Sequence, residues 1–230
     1  MAVPPESRGE SVFCRCSSAA CGLRFPVTPN DAFRGRCPVC GAPAPVVATT
    51  AAVPHTPGIA AAPSPLHILL DNWRSLFNVG SAFRTADGAG VAHLYLCGIT
   101  ATPRQPKLAK TALGAERFVP WSYHPDAVVL AEQLVRDGAR LWALEAQPAA
   151  ASLFDVATGV FSLSAPQPLV LVAGNEVAGV DPGLWPWVER IVAVPMLGRK
   201  ESLNVAVALS IAVYWLRGQA QSAGVVAPTT

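Results

Sequence analysis

The chain has 230 residues, of which 51% are hydrophobic, and a formal net charge of +2 at pH 7. This composition is ample for a globular core, and the small net charge is no argument for a nucleic-acid partner by itself. The longest apolar run, residues 205–216, is shorter than the roughly 20 residues of a membrane span, and no export signal precedes it, so we expect a cytoplasmic protein.

Five of the six cysteines precede residue 41, and four of them form two closely spaced pairs. Such pairs suit tetrahedral zinc, which contributes roughly 10 kcal/mol or more to a unit too small to fold by its own core. Iron, or cysteines without a metal, are the alternatives, and Cys14 competes with Cys16 for one position. The predicted metal ligands are Cys16, Cys21, Cys37 and Cys40.

The same segment is rich in basic and aromatic side chains, namely Arg15, Arg24, Arg34 and Arg36 with Phe13, Phe25 and Phe33. These residues form either a basic surface for RNA, or a unit whose Phe side chains are its miniature core. Both interpretations stay open at this point. We predict a zinc-ribbon-like unit over residues 1–44 and a Pro/Ala-rich linker over residues 45–65.

From Leu66 onward, short apolar runs alternate with helical patterns, which predicts an α/β domain with a mainly parallel sheet over residues 66–218. Residues 219–230 are predicted to be a flexible tail. The predicted strands are 66–70, 93–97, 140–145, 168–174 and 190–195, with a weaker one at 118–121. The predicted helices are 78–87, 126–137 and 204–217, the last closed by Gly218.

Three polar loops lie at the ends of predicted strands or helices, where ligands bind in open α/β sheets. In the first, Asn78 can cap a helix that carries Gly80 and Arg84 on one face, although Arg84 also fits an ordinary surface position. In the second, Glu176 follows a fully apolar strand, where a carboxylate needs a partner or caps a turn. The third, residues 198–204, interrupts an apolar region.

Several common enzyme signatures are absent from the sequence. There is no G-x-G-x-x-G, no G-x4-G-K-[ST] and no G-x-S-x-G, which argues against a dinucleotide site, a nucleotide triphosphatase and a nucleophile elbow. The four histidines are scattered and lie beside no Ser or Cys motif, so a hydrolase triad lacks support.

Taken together, the three loops resemble the motifs of the SpoU, or TrmH-like, family of RNA ribose 2′-O-methyltransferases in the SPOUT superfamily. The matching segments are NVGSAFRTADGAGV, LVAGNEVAGV and VPMLGRKESLNVAVALSIAVYW, in that order. The resemblance implies a SPOUT-type α/β fold with a C-terminal trefoil knot, a homodimer, and transfer of a methyl group from S-adenosylmethionine to a ribose 2′-OH of tRNA or rRNA.

The resemblance also implies which residues form the site. The expected catalytic residues are Arg84, Asn78, Glu176, Ser202 and Asn204, with Arg84 either accepting the 2′-OH proton or orienting that hydroxyl. The expected cofactor-binding residues are Gly174, Val194, Met196 and Leu203. A knotted protein that has lost catalysis and binds RNA or cofactor is the alternative, and other branches of the superfamily methylate base nitrogens.

A basic stretch between the first two motifs is a candidate RNA surface. Its residues are Arg104, Lys107, Lys110 and Arg117. A solvated loop without a ligand is the alternative interpretation of the same residues.

Overall fold

A computed structural model of the chain describes residues 11–28, 35–50, 65–156 and 167–222. The chain divides into a small unit that ends at Ile59 and a large unit that begins at Ala60. The small unit contains three short antiparallel strands, β1 (Val12–Arg15), β2 (Arg24–Val27) and β3 (Val46–Thr49), in the order β2-β1-β3. Its core consists of few side chains, with Cys14, Val27 and Ala44 buried at the centre.

The large unit is a seven-stranded sheet flanked by helices. Its elements are β4 (Leu66–Asp71), α1 (Leu76–Ala89), β5 (His93–Cys97), α2 (Pro106–Ala112), β6 (Trp121–His124), α3 (Ala127–Arg136), β7 (Arg140–Leu144), β8 (Ala151–Ser152), β9 (Leu169–Ala173), β10 (Val188–Ala193) and α4 (Val205–Ser222). The strand order is β6-β5-β4-β9-β7-β10-β8, and all the pairings are parallel.

The pattern of burial explains why the strand sequences are so apolar. Every residue of β9 is buried, as are five of the six residues of β4, because both faces of the sheet carry packed layers. One core cluster packs the sheet against α1, α2 and α4, and a second packs its other face against α3. Parallel pairing places the carboxyl ends of the strands at one edge, where the loops meet.

The structure confirms the predicted mainly parallel α/β architecture, with differences at several boundaries. The strand predicted at 118–121 was wrong, because β6 begins only at Trp121, and α2 forms within a stretch that was interpreted only as basic and polar. β3 pairs with β1, so four residues assigned to the linker belong to the small sheet. α4 continues through Gly218 to Ser222, into the segment predicted as a tail.

The described helices include none that is long and apolar enough to span a membrane. The cytoplasmic location and the trefoil knot expected from the sequence stay predictions.

Candidate active site

A cleft of about 690 Å³ lies at the carboxyl ends of the parallel strands. Its walls come from the three polar loops, together with the ends of β7 and β10 and the first turns of α1 and α4. All the predicted catalytic and cofactor residues except Arg84 line it, namely Asn78, Glu176, Ser202, Asn204, Gly174, Val194, Met196 and Leu203. The volume is that of a typical small-molecule site.

The Glu176 carboxylate ties the second loop to the start of α1. Its oxygens accept hydrogen bonds from the backbone N–H groups of Arg74 (2.8 Å) and Ser75 (3.0 Å) and from the side-chain amide of Asn78 (2.9 Å). Partial burial raises the pKa of Glu176, but these hydrogen bonds outweigh burial and the pKa lies below its ordinary value. Glu176 is therefore a carboxylate at neutral pH.

Asn78 and Asn204 join the first loop to the third. The Asn204 amide donates to the side-chain oxygen of Asn78 at 3.2 Å, while its own oxygen accepts from the N–H groups of Ala206 and Val207. Asn204 thus caps α4. The predicted cap of α1 was wrong, because Ser75 is the N-cap and accepts a hydrogen bond from the Asn78 N–H. A continuous chain of hydrogen bonds runs from Asn204 through Asn78 to Glu176.

Close backbone contacts fix the loop that carries Glu176. A Cβ at Gly174 would lie 2.3 Å from backbone atoms of Gly179 and Val180, so a larger residue does not fit there. Asn175 exchanges backbone hydrogen bonds with Gly179, and its side-chain oxygen accepts the N–H groups of Val177 and Ala178. The loop is a closed turn that presents Glu176 in one position.

Part of the cleft lining is apolar. Leu144, Val194, Met196 and Ala208 line the cleft, and Leu203 is 37% exposed toward it. The loop between β10 and α4 also carries Ser202, which is exposed and makes no hydrogen bond to any described residue. The cleft therefore combines apolar side chains with the Ser202 hydroxyl, which no described residue engages.

Arg84 lies outside this cleft. Its side chain is exposed on α1, and it makes no ion pair or hydrogen bond with a described residue. Gly80 serves the fold instead of a ligand, because a Cβ there would lie 2.2 Å from the hydroxyl oxygen of Thr111 on α2. The motif thus places Asn78 in the cleft, Gly80 against α2 and Arg84 on the surface.

Glu145 follows β7 and lines the cleft, although it is not among the site residues predicted from the sequence. Its carboxylate accepts the backbone N–H of Val180 at 3.1 Å. We predicted Glu145 as the last residue of a strand, although a carboxylate directly after an apolar strand was the signal that identified Glu176. The same criterion finds both residues.

The candidate RNA residues are all exposed on one segment of the large unit. Lys107 and Lys110 lie one helical turn apart on α2, Arg104 precedes that helix, and Arg117 lies in a short 3-10 helix after it. Arg117 approaches Glu116 at 3.7 Å, and the other three have no ion pair among the described residues.

The four predicted metal ligands converge in the small unit. The sulfur atoms of Cys16, Cys21, Cys37 and Cys40 all lie within 4.8 Å of one another. Cys14 is buried in the core and outside this group. Gly22 and Gly41, which follow two of the cysteines, have positive φ values of 59° and 71° that tight turns around a metal require.

The ionisation of these thiols also fits a metal centre. Burial raises the pKa of Cys16 to about 12, while N–H groups of Cys40 and Val39 lower the pKa of Cys37 to about 7. Sulfurs this close cannot all be thiolates unless a cation lies between them. The four sulfur atoms are therefore close enough together to serve as ligands of one metal ion.

The family of this chain is shown by its sequence. It matches the family model described as SpoU rRNA Methylase over residues 65–214, which contains the whole cleft. The chain belongs to this family. SpoU membership accounts for the order of the three loops and for their convergence on one cleft.

Relatives within and around this family include enzymes named for both rRNA and tRNA. The 23S rRNA (guanosine(2553)-2'-O)-methyltransferase RlmP of Bacillus subtilis is 32% identical over a segment covering 73% of this chain and 64% of that protein. The A. aeolicus TrmH/SpoU tRNA modifying enzyme has a TM-score of 0.60 at 26% identity, covering 70% of this chain and 78% of that one.

A further solved structure is that of AviRb from Streptomyces viridochromogenes, described in complex with the cofactor AdoMet. It has a TM-score of 0.60 at 26% identity, covering 78% of this chain and 70% of that one. The chain spans between about half and about two thirds of the length of the first curated relatives to which it is similar.

Proposed function

We propose that this protein transfers a methyl group from S-adenosylmethionine to a ribose 2′-hydroxyl of tRNA or rRNA. The observation that carries the proposal is the hydrogen-bonded chain Asn204–Asn78–Glu176, which joins all three SpoU motifs around one cleft. Relatives whose names state RNA 2'-O-methylation support the reaction, and the complex of AviRb with AdoMet supports the cofactor.

The cleft residues fit S-adenosylmethionine. Gly174 packs closely against the backbone of Gly179 and Val180 and so fixes this part of the cleft lining, while Val194, Met196 and Leu203 would contact the apolar portions of the cofactor. The cofactor supplies an electrophilic methyl group on a positively charged sulfur. The protein must then position the ribose hydroxyl in line with that methyl group and assist loss of the hydroxyl proton.

The residues of the polar network hold the site in place. Glu176, Asn78 and Asn204 already satisfy one another, so we assign them positioning roles. Ser202 has a free hydroxyl in the cleft and is the better candidate for direct contact with RNA. Arg84 would orient the 2′-hydroxyl together with the adjacent phosphate, because a guanidinium offers planar donors that match phosphate oxygens.

Arg84 lies outside its own chain's cleft, and we therefore propose that it acts in a homodimer on the partner's cleft. Phe77 lies seven residues before Arg84 on the same face of α1 and is 75% exposed. On the adjoining α4, Val207 and Tyr214 are 49% and 53% exposed. A second copy of the chain would cover this apolar face and bring Arg84 into the second site.

We also propose that the four cysteines of the small unit hold structural zinc, which this unit needs because its core is small. The basic residues Arg104, Lys107, Lys110 and Arg117 would contact phosphates of the RNA. Nothing in the cleft favours the inactive alternative, because the motif residues that line it are intact and their side chains converge.

The function is tested by transfer of the labelled methyl group from S-adenosylmethionine to bulk RNA. Wild type should label RNA, Arg84→Ala should not, and both should gain thermal stability on adding the cofactor. Arg136→Ala, which removes a surface arginine paired with Glu132, is the matched control and should keep activity. Robust turnover by Arg84→Ala would refute the assigned role, and Arg84→Lys tests whether the two-pronged guanidinium is required.

The dimeric arrangement has its own test. Leu203→Arg should block the cofactor cleft at a half-exposed position, and Arg84→Ala should leave the cleft intact. In a mixed dimer of these two inactive variants, the Arg84→Ala chain supplies an open cleft and the Leu203→Arg chain supplies an intact Arg84. That cleft is complete only if Arg84 acts across the dimer. Recovered activity supports that arrangement, whereas a mixture that stays inactive, or a monomer in sedimentation, contradicts it.

A further inference from the structure

Two arginines face each other directly across the first two strands of the small unit. Arg15 on β1 is the register partner of Arg24 on β2, and both side chains are exposed. Like charges directly opposite each other destabilise an antiparallel pair. A negative group lying against the pair would relieve this repulsion.

An aromatic ring lies beside this pair. The Arg24 guanidinium is 5.7 Å from the centre of the Phe13 ring. Side chains alternate along β1, so Phe13 and Arg15 lie on the outer face of the sheet, opposite the buried Cys14. Phe13, Arg15 and Arg24 therefore form one surface, which we call the Arg15/Arg24 face.

The small unit offers this face little counter-charge of its own. Its described residues, 11–28 and 35–50, contain three arginines and neither Asp nor Glu, and within them Arg15 and Arg24 form no ion pair. Glu6, Glu10 and Asp31 of the same unit lie outside the described residues. With the proposed zinc bound, four thiolates would carry net negative charge, but alternation directs Arg15 away from the side of Cys14 and Cys16.

We infer that the Arg15/Arg24 face binds the phosphate backbone of RNA, with Phe13 stacking on a base. The two guanidiniums supply planar donor forks that match phosphate oxygens, and an aromatic ring among cations is the usual platform for an unpaired base. This face belongs to the small unit and the cleft belongs to the large unit, and we assign the face to RNA docking rather than methyl transfer. The choice of RNA as the partner rests on the proposed function.

The test is the affinity of the full-length protein for a fluorescein-labelled single-stranded RNA of mixed sequence, measured by anisotropy at several KCl concentrations. Arg15→Gln/Arg24→Gln should weaken binding about tenfold and reduce the slope of log affinity against log salt by about 1.4, roughly 0.7 for each lost phosphate contact. Phe13→Leu should weaken binding about fivefold with the slope unchanged.

A matched control removes the same charge elsewhere. Arg136→Gln/Arg190→Gln deletes two arginines of the large unit, one of them over the Trp142 ring at 5.1 Å, and should leave RNA affinity near that of wild type. Equal loss in both double variants would reduce the effect to bulk charge and overturn the inference. The inference would also be overturned if the Arg15/Arg24 variant bound RNA with the affinity of wild type, or if it lost its zinc together with its RNA affinity.

The same proteins separate this inference from the proposed function. If both are right, the Arg15/Arg24 variant keeps its stabilisation by S-adenosylmethionine and its kcat, while KM for RNA rises about tenfold. If wild type transfers no methyl group but its RNA affinity depends on Arg15 and Arg24, the proposed function fails and docking stands. If wild type transfers the methyl group but its RNA affinity does not depend on Arg15 and Arg24, the docking inference is wrong and the proposed function stands.

Discussion

Replacing Glu176 by Gln removes one negative charge at the centre of the site while keeping the side chain's size. Three donors converge on the carboxylate, from Arg74, Ser75 and Asn78, and Gln offers them one oxygen, so at least one donor would face its NH₂ group. A hydrogen bond to a charged group contributes about 1.5–3 kcal/mol. Because the side chain is only half-buried, we expect Glu176→Gln to lower the free energy of unfolding by about 1.5 kcal/mol at pH 7.

The assay for Glu176→Gln is denaturant unfolding followed by tryptophan fluorescence, which reports the large unit alone. All six tryptophans lie there, at Trp73, Trp121, Trp142, Trp185, Trp187 and Trp215. The exposed Glu189, paired with Arg140, gives the control Glu189→Gln, which should cost less than about 1 kcal/mol.

The pH dependence sharpens this prediction. The pKa of folded Glu176 lies below its ordinary 4.5, so its stabilisation is complete above that value and disappears as pH falls through the folded pKa. The stabilities of wild type and Glu176→Gln should therefore converge in acid. Equal stability at pH 7, or a difference that does not change with pH, would refute the reasoning.

Three further predictions concern other parts of the molecule. Gly80→Ala should lower the free energy of unfolding by about 1–3 kcal/mol, because its Cβ would lie 2.2 Å from the hydroxyl oxygen of Thr111 on α2. The control Gly88→Ala should change that free energy little, because a Cβ at Gly88 meets only the hydroxyl end of Tyr214. Cys37→Ser should abolish bound zinc in metal analysis, whereas Cys14→Ser should retain it. Burial and, to a smaller extent, the neighbouring His93 lower the pKa of His67 to about 4. As the pH falls from about 6.5 to 4, the free energy of unfolding of wild type should therefore decrease more than that of His67→Gln.

Much of the fold could be predicted because local patterns and tertiary packing agree. β4 and β9 are buried on both faces, and a strand buried in that way must be apolar throughout, which makes its sequence easy to identify. Likewise α3 has Asp126 as its N-cap and Gly138 with φ of 91° just after its end. The position of Glu176 in the cleft followed from the cost of leaving a carboxylate at a strand end.

The failures lie where distant contacts override local signals. The four residues of β3 look like linker sequence and become a strand only because β1 provides a pairing edge. Gly218 looks like a helix stop, but α4 continues to Ser222. The family resemblance grouped Asn78 and Arg84 in one site, whereas their separation of six positions along α1 directs the two side chains to different faces of the helix. In the proposed homodimer, Arg84 would reach the cleft of the second chain.

The central claim is tested most directly by the chemical identity of the product. RNA incubated with the protein and labelled S-adenosylmethionine should be digested to nucleosides and analysed by mass spectrometry. We predict that the label resides on the ribose, as a 2′-O-methylnucleoside, in wild type and not in Arg84→Ala. A label found on a base, or no label in wild type from any tRNA or rRNA fraction, would contradict the account.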